Sequence, residues 1–302
     1  MWRYFKLFLP LLVLAQAGLA HAEPVRVVTS IETLADLARA VGGGNVKVLS
    51  LARGYQDPHF VEAKPSLLVP LSQADLLVYV GLDLEIGWLP PLVLGSRNSR
   101  IQAGAKGNLD ASAAIDVLDV PAGKVDRGQG DIHARGNPHY WLPPVNALKV
   151  AKAIAVRLKE IDPAHGADYE ANLQALGAAF KARAGEWSRK AAALKGMKVV
   201  AYHKSWAYLS GWLGLREVGY VELKPGISPD PKHLAELILL MKAESVRALV
   251  IESFYNRSIA SQVADAAGAR MIVLPSDVGA TPRIRSYVEL VDAVLDALAA
   301  VK

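Results

Sequence analysis

The chain has 302 residues, of which 52% are hydrophobic, 21% charged and 7% aromatic, with 34 Lys and Arg against 29 Asp and Glu. That length favours two lobes or one large one, and the apolar content supplies a core and excludes disorder. There is no cysteine, which excludes a disulfide framework, thiolate metal sites, iron–sulfur clusters, a cysteine nucleophile and anchoring through a thioether-linked lipid.

Residues 1–22 read as a secretory signal peptide. Arg3 and Lys6 precede an apolar run over 7–14, and Ala20-His21-Ala22 places small residues at the cleavage positions. Pro10 and Gln16 interrupt the segment, which falls short of the roughly 20 apolar residues of a membrane-spanning helix. Its removal takes away two cations and leaves a net charge of +3. The remaining cations are scattered, against a nucleic-acid partner. The mature protein is expected in the periplasm, neither inserted in the membrane nor lipid-anchored, and as a monomer.

Beyond the signal, β-branched apolar runs alternate with amphipathic stretches. The pattern predicts strands over 25–29, 46–51 and 75–80, and helices over 31–41, stopped by Gly42-Gly43-Gly44, and over 65–72. It resumes with strands over 198–202, 246–251 and 270–274 and helices over 231–242 and 259–267. Asp230-Pro231 there is a capping side chain followed by proline. Such alternation implies parallel sheets covered by helices, an α/β fold. Between the halves, Tyr169, Leu173, Leu176, Phe180, Trp187, Ala191 and Leu194 mark one face of a helix over 164–194. At 1.5 Å per residue it spans roughly 45 Å. The expected organisation is an N-terminal lobe (23–163), a connecting helix (164–195) and a C-terminal lobe (196–302). Residues 121–138 form a glycine-rich, charged, irregular loop.

Six histidines follow the signal: His59, His133, His139, His165, His203 and His233. His59 and His139 each follow a proline, in Asp57-Pro58-His59 and Asn137-Pro138-His139, which restricts the backbone at the imidazole. His203 follows one predicted strand and Asp277 another, and ligands of open α/β sheets bind beyond the carboxyl ends of strands. Three imidazoles and one carboxylate, two from each lobe, would make a closed four-coordinate zinc site that holds an ion and leaves no position for a reacting water. His165 and His233 read as ordinary surface residues. His133, in the glycine-rich loop six residues before His139, reads either as an ordinary loop residue or as a helper in metal capture. Glu252, at a strand end, reads either as a partner that orients a ligand histidine or as a surface carboxylate. H-E-x-x-H, G-x-S-x-G, the phosphate loop and G-x-G-x-x-G are all missing.

These residues resemble, over essentially the whole mature chain, the solute-binding proteins of bacterial zinc and manganese ABC transporters, the group with a rigid interlobe helix. The resemblance runs through Asp57-Pro58-His59 with Glu62 and Pro65, Ala74-Asp75-Leu76 with Gly81, Glu85 and Trp88-Leu89. It continues through Pro138-His139-Tyr140-Trp141-Leu142 with Pro144 and Asn146, Tyr169 with Asn172, His203 with Trp206, Tyr208 and Gly214, and Asp277. It implies two pseudo-symmetric lobes clasping one ion, with His59 and His139 as ligands from the first and His203 and Asp277 from the second. It also implies delivery to an inner-membrane permease driven by an ATPase. Asn137 stands where the family commonly has aspartate, and the loop before His139 is short where zinc-type members carry a long histidine-rich one. Manganese-type members often place glutamate at His203; an imidazole there shifts the balance toward Zn2+, with Mn2+ the alternative. Readings outside transport are a zinc hydrolase, with three histidines on the metal and Glu252 as base, and a surface adhesin of the same fold.

Overall fold

The computed structural model describes residues 23–123, 133–222 and 226–301. The signal expected over 1–22 and residues 124–132 of the glycine-rich loop lie outside them.

Four strands, β1 (Val25–Thr29), β2 (Val46–Ser50), β3 (Leu76–Tyr79) and β4 (Asn108–Asp110), form a parallel sheet in the order β2-β1-β3-β4. Four more, β5 (Lys198–Ala201), β6 (Arg216–Tyr220), β7 (Ala248–Ile251) and β8 (Arg270–Val273), form a second parallel sheet in the order β6-β5-β7-β8. The two sheets share one strand order, so the lobes are pseudo-symmetric. Strands such as β7, Ala-Leu-Val-Ile, are buried at every residue, as a sheet covered on both faces requires.

The covering helices are α1 (Glu32–Gly42), α2 (Leu68–Gln73), α3 (Leu89–Gly95), α4 (Pro144–Ile161), α5 (Gly166–Leu194), α6 (Ala207–Leu213), α7 (Pro231–Ala243), α8 (Arg257–Ala267) and α9 (Tyr287–Ala299). The expected helix over 65–72 divides into a 3-10 turn, Pro65–Leu67, and α2; Pro70 sits in the first turn of α2, where a missing N–H is tolerated. The 29 residues of α5 bury Tyr169, Phe180, Trp187 and Leu194, and Leu173, Leu176 and Ala191 pack beside them partly buried. The predicted face is therefore the one that meets the core.

That face joins the lobes. α1 and α4 from the first lobe and α9 from the second all pack on α5. Phe180 stacks on Tyr287 of α9 at 5.0 Å, and Trp187 Nε1 donates to Asp292 at 2.7 Å. Direct ties cross as well: the Tyr287 amide donates to Asp36 at 2.8 Å, its hydroxyl to the Leu142 carbonyl at 2.6 Å, and Trp141 Nε1 to the Ser276 carbonyl at 2.6 Å. At Gly54 the backbones come so close that a Cβ would lie 1.8 Å from the Val278 carbonyl oxygen. Only glycine fits there.

Candidate metal centre

His59 lies on the loop after β2. Its backbone N–H donates to Asp57 Oδ1 at 3.0 Å, and its Nδ1 lies 2.7 Å from the same oxygen. One carboxylate thus shapes the turn and fixes the ring, turning Nε2 outward for a ligand. Trp88 Nε1 donates to the Pro58 carbonyl at 2.8 Å and pins the loop. Asn137 repeats the turn bond, accepting from the His139 N–H at 3.0 Å, while its own amide donates to Asp119 and to the Lys204 carbonyl of the other lobe. His203 follows β5, and its Nδ1 lies 2.9 Å from Glu222 Oε2, beyond the end of β6.

The structure brings these three buried histidines together. One donor atom from each of His59, His139 and His203 lies within 4.8 Å of the others, and the three ring centroids are 5.1 to 5.4 Å apart. Burial, reinforced by the neighbouring imidazoles, holds the His139 pKa well below the ordinary value. The ring is therefore neutral at pH 7, the form that binds metal. His139 Nε2 is buried and has no hydrogen-bond partner among the described residues. His133 joins from outside: its Nε2 is 3.3 Å from that of His59 and its ring stacks on that ring at 5.3 Å. Burial lowers its pKa to about 3.

Asp277 is placed differently. It stands outside the group of mutually close donors. Its Oδ1 accepts from the Thr33 N–H at 2.7 Å, the Thr33 hydroxyl at 2.5 Å and the Val278 N–H at 2.9 Å, and its Oδ2 from the Glu32 N–H at 3.1 Å. Burial nonetheless pushes its pKa up to about 7.

Beside the histidines is a cavity of about 20 Å3 lined by Pro58, His59, His139, Ser205, Trp206 and Glu252 among others. Burial raises the Glu252 pKa to about 8. His165 pairs with Asp162 at 2.7 Å and His233 with the Tyr220 carbonyl at 2.9 Å, both away from the cluster. Sequence reasoning passed over Glu222 and Thr33. Glu222 carries a faint signal, an acid just past a short half-buried strand, but its pairing with His203 depends on how β6 and β5 align.

Three nitrogen donors converging from two lobes, two of them oriented by carboxylates, can hold a divalent transition metal. Residues 27–301 match the family described as zinc-uptake complex component A, periplasmic (ZnuA). The chain is 29% identical to the metal ABC transporter substrate-binding lipoprotein ScbA of Streptococcus cristatus, over 82% of this chain and 81% of that one. It is 28% identical to the iron ABC transporter substrate-binding lipoprotein MtsA of Streptococcus pyogenes serotype M1, over 79% and 75%. A crystal structure of a ZnuA deletion mutant with zinc bound superposes with a TM-score of 0.75 at 25% identity, covering 92% of this chain and 98% of that one. The chain belongs to the ZnuA family of periplasmic metal-binding, ABC-transport solute-binding proteins, which are not enzymes.

Proposed function

We propose that the protein captures Zn2+ between its lobes and delivers it to the permease of an ABC importer in the inner membrane. The observation that carries this reading is the convergence of His59, His139 and His203 from both lobes, with donor atoms within 4.8 Å of one another. A set dominated by three imidazole nitrogens suits zinc over manganese, whose affinity for nitrogen donors is the lowest of the first-row divalent ions. The family membership supplies the transport role; the metal is read from the donors.

Asp277, which the resemblance adds to the ligand set, is read here as the fourth ligand; it also braces α1, and its Oδ2, which among the described residues accepts only the Glu32 N–H, keeps a lone pair for the ion. His133, against His59 on the outer side, is read as the imidazole that meets an incoming ion before the three inner rings enclose it. Residues 1–22 act as a cleavable export signal in this reading, and the mature chain works as a periplasmic monomer.

The test is titration calorimetry with metal analysis on purified mature protein. One Zn2+ per chain is expected, with binding sharply weakened in His59→Ala and in His203→Ala. Full-strength binding in a variant lacking all three histidines ends the proposal.

A further inference from the structure

The two loops in which a proline precedes a histidine are built alike and bonded differently. Asp57 spends its carboxylate on its own histidine, Oδ1 accepting the His59 N–H at 3.0 Å and lying 2.7 Å from its Nδ1. Asn137, at the same place before His139, accepts the His139 N–H on Oδ1 at 3.0 Å. Its amide nitrogen faces the other lobe. Nδ2 donates to the Lys204 carbonyl at 3.0 Å and to Asp119 Oδ2 at 3.1 Å. Lys204 is the residue after His203. One side chain, two residues from one imidazole of the cluster, therefore holds the residue next to another.

The backbone of Asn137 is equally committed. Its N–H donates to the Leu118 carbonyl at 2.9 Å, and its carbonyl accepts the hydroxyl of Tyr208, on α6 of the second lobe, at 2.9 Å. That hydroxyl accepts in turn from the Leu118 N–H at 2.9 Å. Lys204 Nζ lies 3.3 Å from Asp119 Oδ2, the oxygen that Asn137 also reaches. Asn137 is only 6% exposed, so its chemistry is tightly specified: one acceptor toward His139 and two donors away from it. An aspartate would keep the turn bond to His139. It would also set a lone pair against the Lys204 carbonyl and a second negative charge against Asp119, leaving a buried carbonyl without its donor.

We infer that Asn137 is a positioning residue that sets the separation of His139 from His203, and with it the size of ion that the site prefers. The Trp141 tie reaches the second lobe after β8, at Ser276. Asn137 reaches it after β5, where His203 stands. A donor set held at one separation favours the ion whose bond lengths fit it, whereas a set free to spread accepts a larger ion. Loss of the amide frees the His203 loop to move away from His139, and the smaller ion loses most. The inference rests on the functional reading above and goes beyond it in assigning selectivity to a residue that is not itself a ligand.

The test is competition titration of the purified mature protein with Zn2+ and with Cd2+, a larger ion of the same charge, on wild type, Asn137→Asp and the double variant Asn137→Asp/Asp119→Asn. Asn137→Asp is expected to weaken zinc binding about 10–100-fold and cadmium binding less, so the ratio of the two affinities falls. A merely structural role would weaken both ions by the same factor. In the double variant a donor replaces the facing charge, and part of the zinc affinity is expected to return. Zinc affinity unchanged in Asn137→Asp, equal losses for the two ions, or no recovery in the double variant overturns the inference and leaves the functional reading intact. Wild-type protein that binds no zinc overturns both. Should Asn137→Asp fail to fold, Asn137→Ser takes its place with the same expected fall in the ratio, since a hydroxyl keeps the turn bond to His139 and does not reach the other lobe.

Discussion

Asp277, on the loop after β8, caps α1 of the opposite lobe by accepting from both the backbone N–H and the hydroxyl of Thr33, at 2.7 and 2.5 Å. The residue at the N-cap position, Ile31, offers no side-chain cap, so the first N–H groups of α1 find their acceptor across the lobe boundary. Losing an N-cap costs about 0.5–2 kcal/mol, and here it also removes an interlobe tie. Asp277→Ala is expected to lower the melting temperature of the metal-free protein and to weaken zinc binding, by less than loss of any of the three histidines. Thermal melts with and without Zn2+ check both halves.

The close backbone approach at Gly54 gives a second prediction. A methyl group at Gly54 meets the Val278 carbonyl oxygen, one residue from Asp277. Gly54→Ala is expected to part the two loops and destabilise the protein by about 1–3 kcal/mol, in the range of overpacked sites. Chemical denaturation measures it.

A third prediction concerns orientation rather than ligation. Glu222 holds His203 Nδ1 at 2.9 Å and in doing so fixes which nitrogen faces the ion. Glu222→Ala is expected to weaken zinc binding about 10–100-fold, or roughly 1.4–2.7 kcal/mol, with the number of ions bound unchanged. Competition titration reads the affinity, and metal analysis the stoichiometry.

Burial of titratable groups sets how stability follows pH. Glu85, Asp277 and Glu252 are pushed up by burial to about 7, 7 and 8. The unfolded chain loses these protons first, so the stability they contribute falls as pH rises from about 4 until the folded groups ionise. His139 and His133 are lowered by burial. The unfolded chain holds those protons longer, so their contribution rises with pH and levels off near about 6.5. The two sets oppose each other in mild acid, and above about pH 6.5 only the carboxyls still act. The melting temperature of the metal-free protein is therefore expected to decline between about pH 6.5 and 8, as calorimetry across that range would record.

Much of this architecture is legible in the chain because its signals are local. The run Val-Arg-Val-Val-Thr of β1 and the spacing of Tyr169, Phe180 and Trp187 on α5 report burial directly. The proline before His59 and His139 likewise marks two of the loops that carry the histidine cluster. What stays hidden is short or depends on pairing. β4 has three residues, and β6 carries Gly219 and is only half-buried, so neither shows a strand period. α4 and α9 are regular amphipathic helices that no strand follows, so the alternation of strand and helix does not mark them. The hydrogen bonds from α1 to Asp277 could not be read from its position at a strand end, because their donor, Thr33, lies 244 residues away. Glu252 is visible as an acid at a strand end, but the unpartnered oxygen that distinguishes it from Glu85 exists only in the folded packing.

The most direct measurement is equilibrium competition between Zn2+ and Mn2+ for the purified mature protein, repeated with His59, His139 and His203 replaced together by alanine. One zinc per chain held more tightly than manganese, with binding abolished in the triple variant, is the predicted result. Preference for manganese, or zinc retained at full strength without the three imidazoles, would contradict it.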